Sequence, residues 1–240
     1  MSINFKFTRE NLNTCLKELA KEFRKLNGTT MPAEIILVGG AAILAEYGFR
    51  EMTYDIDAVI LASSVMKDAI SRVGDKFDLQ NGWLNTDFKY TKSYSDKLRE
   101  VSIYYKTFSN ILTVRIVSAE YLIAMKLMSG RQYKNDLSDI VGILWEQERI
   151  GKPILKVDIE KAIEVLYNSA DIPKTSREII DAIYIDEDYK TLYKKFRDEE
   201  KESREVLLDF EETYPKVLND SNIDDVLEEA KIKMKYDREK

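Results

Sequence analysis

VGGAAILAEYGFREMTYDIDAVI, residues 38–60, joins an apolar run ending in two adjacent glycines to a second apolar run that opens with two aspartates. The spacing predicts a strand over 34–38, a turn at Gly39-Gly40, a short helix over 41–47 closed by Gly48, and a second strand over 55–61. Alternation along that second strand sends Asp55 and Asp57 to one face, with Cα atoms roughly 7 Å apart. A strand, a glycine turn and a helix start gather backbone N–H groups and the positive end of a helix dipole at one place, where an anion such as a phosphate can sit. The neighbouring carboxylates are hard oxygen ligands of the kind that hold Mg²⁺ or Mn²⁺. A divalent cation and a triphosphate between the glycines and the aspartates would offset the repulsion of the pair.

Each part also has a plainer reading. A Gly-Gly turn between strand and helix is often steric, and aspartates at a strand end are often solvated. Two other phosphate motifs are absent: GGAAIL lacks the third glycine of a dinucleotide fingerprint, and no Gly-Lys-Ser/Thr loop occurs. The combination of turn and carboxylates therefore carries the weight.

Outward from this stretch, Leu12, Cys15, Leu16, Leu19, Phe23 and Leu26 recur at helical spacing over 8–27, ending at Asn27-Gly28. A helix is expected over 64–77 and a loop over 78–96, with Asn81-Gly82 and many polar residues. Two β-rich runs, 101–108 and 111–117, flank Ser109-Asn110 and suggest a hairpin. Ser118 opens a helix that stops at Gly130, and Leu137, Ile140, Val141, Leu144 and Trp145 mark the next. Beyond Gly151-Lys152-Pro153 the pattern is helical near 157–168, 174–184, 188–212 and 222–236, and charge density rises. The expected fold class is α+β: a small mixed β-sheet core flanked by helices over 1–150, with an all-helical C-terminal extension over 151–240.

With 240 residues, 44% hydrophobic and 33% charged, the chain can bury a sizeable core. No apolar run approaches the roughly 20 residues that span a bilayer, and MSINFKFTRE lacks the apolar core of a signal peptide; a cytoplasmic location without a membrane partner is the expectation. The single cysteine excludes an internal disulfide and a Cys-rich zinc site. The absence of histidine excludes a Ser-His-Asp triad and a histidine base, leaving carboxylates, Lys, Tyr, Ser/Thr or an oxygen-liganded cation for any chemistry. A net charge of −6 argues against nonspecific wrapping of nucleic acid over the whole surface.

The Gly-Gly turn followed by Asp-apolar-Asp resembles the nucleotidyltransferase superfamily typified by DNA polymerase beta. Arg50-Glu-Met-Thr53-Tyr-Asp55-Ile-Asp57 resembles more narrowly its minimal AbiEii-type branch, which includes toxin components of toxin–antitoxin and abortive-infection systems. AEYLIAMKLMSGRQYKNDLSDI, residues 119–140, is similar to that branch's later motif. The resemblance covers roughly residues 30–147 and implies a metal-dependent transfer of NMP from NTP to a hydroxyl of an RNA or protein acceptor. It implies that Gly39 and Gly40, with Arg50, Thr53, Arg131 and Lys134, bind the nucleotide, and that Asp55 and Asp57 bind Mg²⁺ or Mn²⁺. Lys126 would contact phosphate oxygens, and Asp136 or Asp139 would complete the site. The strand 111–117 carries Arg115 and no acid where many members place a third carboxylate, which motivates a second reading as a binding or regulatory, antitoxin-like protein of the same fold.

Outside the resemblance, Lys126 reads as a solvated helix residue and Asp136 and Asp139 as a capping pair. The stretch 89–106 interleaves Lys89, Lys92, Lys97, Arg99 and Lys106 with four tyrosines, a pattern for stacked bases or for a polar loop feeding a strand. Trp83 is a cleft residue or a buried anchor. Runs such as RDEEKESRE, 197–205, read as a solvated cover or a face for a protein partner.

Overall fold

The computed structural model describes residues 5–29, 31–131, 134–168, 172–186, 188–219 and 222–238, for 231 and 233–238 the backbone alone. Gln132 and Tyr133 of the 119–140 motif and Ser2 to Asn4 of the N-terminal stretch thus lie outside the described residues.

The chain opens with α1 (Arg9–Asn27), whose first turn is closed reciprocally by Thr8 and Asn11 and whose predicted stripe of Leu12, Cys15, Leu16, Leu19 and Phe23 is buried. Next come β1 (Ala33–Leu37), α2 (Gly39–Glu46), β2 (Ile56–Leu61), α3 (Met66–Phe77) and the two-residue β3 (Leu84–Asn85). The hairpin β4 (Ser102–Phe108) and β5 (Leu112–Val117) turns at Ser109 and Asn110, both with positive φ (50° and 54°), the backbone of a tight primed turn that matches strand twist. Then follow α4 (Ala119–Ser129), stopped by left-handed Gly130, and α5 (Asp136–Arg149). The remainder is helical: α6 (Lys156–Tyr167), α7 (Lys174–Asp186), α8 (Tyr189–Thr213) and α9 (Ile223–Arg238).

The five strands form one mixed sheet in the order β3-β2-β1-β5-β4. β1 is central, antiparallel to β2 (Leu37 opposite Ala58) and parallel to β5 (Leu37 opposite Ile116). This is the α+β architecture with a mixed sheet and a helical C-terminal part. Helix α4 is apolar nearly all round and buried from Leu122 to Met128, which puts it in the middle of the molecule. Ile159, Ala162, Ile163, Leu166, Ile180, Ile183 and Leu192 from the C-terminal helices join the same hydrophobic cluster as the sheet.

The 78–96 stretch is more ordered than a loop. It contains β3 and two 3₁₀ turns, Asp87–Tyr90 and Asp96–Arg99. Trp83 is an anchor: it is buried, donates from Nε1 to Ile70 O at 3.0 Å and stacks on Phe7. Over 89–106 the partners are internal: Tyr94 packs on Phe88, Lys97 reaches Val165 O, Arg99 pairs with Glu34 and Tyr105 donates to Asn13. Tyr90 and Tyr104 remain exposed.

Candidate nucleotide cleft

Val38 follows β1 and donates its N–H to Asp57 O at 3.1 Å, which sets the glycine turn beside the first residues of β2. Gly39 has φ +53°, a left-handed conformation that favours glycine, and a Cβ there would stand 3.9 Å from Asp57 Oδ2. The first turn of α2 receives no side-chain cap from Val38, so its N–H groups are presented next to the aspartates. Gly40 is glycine for a different reason. A Cβ there would come within 2.7 Å of Arg50 Nη2 and 2.9 Å of Thr53 Oγ1, so these two side chains occupy the space.

Asp55 precedes β2 and is exposed, while Asp57 is half-buried. Burial, reinforced by the charge of Asp55, holds the Asp57 carboxyl above the ordinary aspartate range. Asn85, Lys134 and Arg131 act in the opposite direction without cancelling the effect. A half-buried carboxylate beside a second one is a place where a cation gains energy. Among the described residues no group of three or more His, Cys, Asp or Glu gathers to hold a metal. Two carboxylates suffice for Mg²⁺ when substrate phosphates and water complete its shell, so the donor set fits a metal that arrives with a nucleotide.

Lys126 is not a solvated helix residue. It is 9% exposed, and its Nζ lies 2.7 Å from Asp136 Oδ1 and 2.7 Å from Asp139 Oδ2. Burial alone would lower its pKa, but the two carboxylates outweigh burial and hold it above the ordinary lysine value. Asp136 also accepts from Arg131 Nε at 3.1 Å, and Asp139 from Arg50 Nη1. Burial tends to raise the Asp136 carboxyl, yet Lys126 and Arg131 keep it below the ordinary range. Asp136 and Asp139 thus neutralise a buried lysine and aim two arginines, and neither caps α5. The residue at the capping position, Asn135, makes no side-chain capping bond. Arg115 in turn donates to Ser102 Oγ and O.

These residues converge on a cleft of ≈ 840 Å³, within the size of small-molecule sites. Gly39, Gly40, Arg50, Thr53, Asp55, Asp57, Lys126, Arg131, Lys134 and Asp136 all line it. So do five residues of α8 that the charged pattern of the sequence did not single out: Tyr193, Lys194, Arg197, Asp198 and Arg204. Phe49 anchors this wall, since Tyr193 donates to Phe49 O at 3.1 Å and the two rings meet edge to face. Lys134, Lys194 and Arg197 form no ion pair among the described residues. The lining carries seven basic and six acidic side chains in a chain of net charge −6, so with Lys134, Lys194 and Arg197 outside any ion pair among the described residues the cleft offers cations to an anionic ligand.

A family described as "Nucleotidyltransferase of unknown function" (DUF6036) matches residues 14–218. The chain belongs to this nucleotidyltransferase family. The match runs from α1 to the end of α8, so in this nucleotidyltransferase the sheet, the α4–α5 cluster and the α8 wall are parts of one family unit. No curated protein and no solved structure matches the chain. Among the described residues no helix is long and apolar enough to cross a membrane.

Proposed function

We propose that the cleft binds a nucleoside triphosphate with Mg²⁺ or Mn²⁺ and transfers its nucleotidyl group to a hydroxyl of an RNA or protein acceptor. The observation that carries the reading is the meeting of Asp57 with the Gly39 turn at the open N-terminus of α2, inside a cleft that Arg50, Arg131 and Lys134 also line. Asp55 and Asp57 are the metal ligands. The bound metal supplies charge stabilisation at the reacting phosphate and the departing pyrophosphate.

The chain's own contribution is orientation and electrostatics. Main-chain N–H groups at Gly39 and Gly40 face the phosphates, and Arg50, Arg131 and Lys134 balance their charge. The acceptor oxygen attacks the α-phosphorus, the bond from that phosphorus to the bridging oxygen of the β-phosphate breaks, and pyrophosphate leaves. The acceptor's proton passes to a cleft carboxylate, histidine being absent. Lys126 and Asp136 act through Arg50 and Arg131 as positioning residues. The likeness of residues 50–57 and 119–140 to the AbiEii-type branch supports a place in a toxin–antitoxin or phage-defence system, with exposed apolar residues of the C-terminal helices, Leu208 among them, as the face for a protein partner.

Replacing Asp55 and Asp57 together by Asn should abolish transfer from labelled NTP while the fold persists; undiminished transfer refutes the assignment. A second reading, a nucleotide-binding regulator without turnover, draws support from Asp136 and Asp139 being engaged by cations, so that neither serves as a third acid. Metal-dependent NTP binding with no label passing to any acceptor in a cell extract would select it.

A further inference from the structure

The first turn of α5 carries Asp136 and Asp139, and its free N–H groups are taken by a carboxylate from another part of the chain. Glu200, on α8, accepts from Leu137 N at 2.9 Å, Ser138 N at 3.1 Å and Ser138 Oγ at 2.5 Å, and is 1% exposed. One turn further on, Arg204 Nη2 donates to Asn135 Oδ1 at 2.9 Å. A carboxylate with three donors at a helix N-terminus makes a strong, directional contact. Going back along α8 from Glu200, Arg197 and then Tyr193 line the cleft, while Glu200 does not. A helix is stiff over two turns, so what fixes residue 200 fixes 197 and 193.

The geometry points to Glu200 as a positioning residue of the cleft: it seats α8 on the first turn of α5 so that Tyr193 and Arg197 hold a set place opposite the Asp136–Lys126–Asp139 cluster. The consequence for ligand rests on the nucleotide reading above; the seating of α8 does not. A carboxylate that merely stabilises the fold would change the unfolding free energy and leave both the place of α8 and the ligand affinity unmoved.

The test uses the full chain with spin labels at Lys67→Cys and Lys195→Cys, two exposed positions outside the cleft. Cys15 is buried, and burial pushes its thiol up to about 11, so it does not take the label. Inter-label distance distributions and MgATP affinity are measured for the parent, Glu200→Gln, Glu200→Asp and Glu200→Ala. Glu200→Gln keeps an accepting oxygen at the same reach and should keep a narrow distribution and a Kd within about threefold of the parent. Glu200→Ala should broaden the distribution and weaken MgATP by at least about tenfold, since cleft geometry tolerates little drift. Should Glu200→Ala fail to fold, Glu200→Asp, charged but one methylene short, carries the same expectation. An unchanged distribution in the folded short variants overturns the proposal, and so does a broadened one with MgATP affinity intact. A parent that binds no MgATP but whose short variants broaden would remove the nucleotide reading and uphold the seating of α8.

Discussion

Replacing Lys126 by Met tests the account of the α4–α5 cluster most directly. The ammonium is 2.7 Å from each of two carboxylates that are themselves 2% and 4% exposed. Met fills nearly the same volume, so the cavity contribution is small and the loss is electrostatic. Removing one partner of a buried ion pair costs about 3–5 kcal/mol because the other charge is left without compensation. Here Asp136 keeps Arg131 and Asp139 keeps Arg50, which places the expected loss at the lower end, about 3 kcal/mol. A surface pair such as Lys156–Asp181, both partners about half exposed, should cost no more than about 1 kcal/mol when broken. Equilibrium urea unfolding at neutral pH, with the m-value checked for constancy, reads both numbers. In Lys126→Met/Asp136→Asn the two losses should fall short of additivity by about 1 kcal/mol or more, because the second change removes the charge that the first left uncompensated. A loss below about 1 kcal/mol for Lys126→Met, or strict additivity in the double variant, would refute the claim that Lys126 holds the cluster together.

Three further outcomes are expected. Asp57→Asn should raise the melting temperature of the ligand-free protein at pH 8 while abolishing metal-dependent NTP binding, since it relieves a half-buried charge held beside Asp55; a lower melting temperature would count against the crowding of the two carboxylates. Gly40→Ala puts a methyl where Arg50 Nη2 and Thr53 Oγ1 stand, so Arg50 should leave Asp139, weakening NTP binding with a stability loss of only about 1–2 kcal/mol; calorimetry with MgATP showing parent affinity would contradict this. Burial raises Glu200 from 4.5 to about 7, so the folded state holds its proton more tightly than the unfolded chain. Its contribution to stability is complete below about pH 4.5 and is lost as pH rises through about 7, a change on the order of 3 kcal/mol. Glu200→Gln removes that titration and should gain on the parent between pH 5 and pH 8, as read by denaturant unfolding at both; parallel pH profiles would deny the burial effect.

The parts of the molecule set by local chemistry were legible in the sequence. The spacing of Leu12 to Phe23 yields a buried stripe on α1, and Ser109-Asn110 supplies two residues that accept positive φ. Gly130 stops α4 in the left-handed conformation, and Gly39 meets Asp57 as the strand–turn–helix pattern requires. The parts set by adjacency in space were not. A lysine on an apolar helix looks like any snorkelling residue until α5 brings two carboxylates to it, and β3 is too short to leave a periodic trace.

Helix α8 shows why the boundary between legible and illegible falls where it does. Its run of mixed charges reads as a solvated face, and 63 positions separate Glu200 from the Leu137 N–H that it accepts. Yet Leu192, Phe196, Glu200, Ser203 and Leu207 recur at helical spacing, and all five are buried or half-buried. Glu200 therefore sits on the apolar stripe, where an unpaired carboxylate would be costly. A charged residue in register with a hydrophobic stripe implies a partner elsewhere in the chain, and the free N–H groups of an uncapped helix are such a partner. Asn135, at the capping position of α5, makes no side-chain bond to the turn it precedes, so the two irregularities answer each other where α8 meets α5. Read as a pair, they tie the helical C-terminal third to the α5 turn that holds Asp136 and Asp139, and so make α8 part of the site and not only a cover over it.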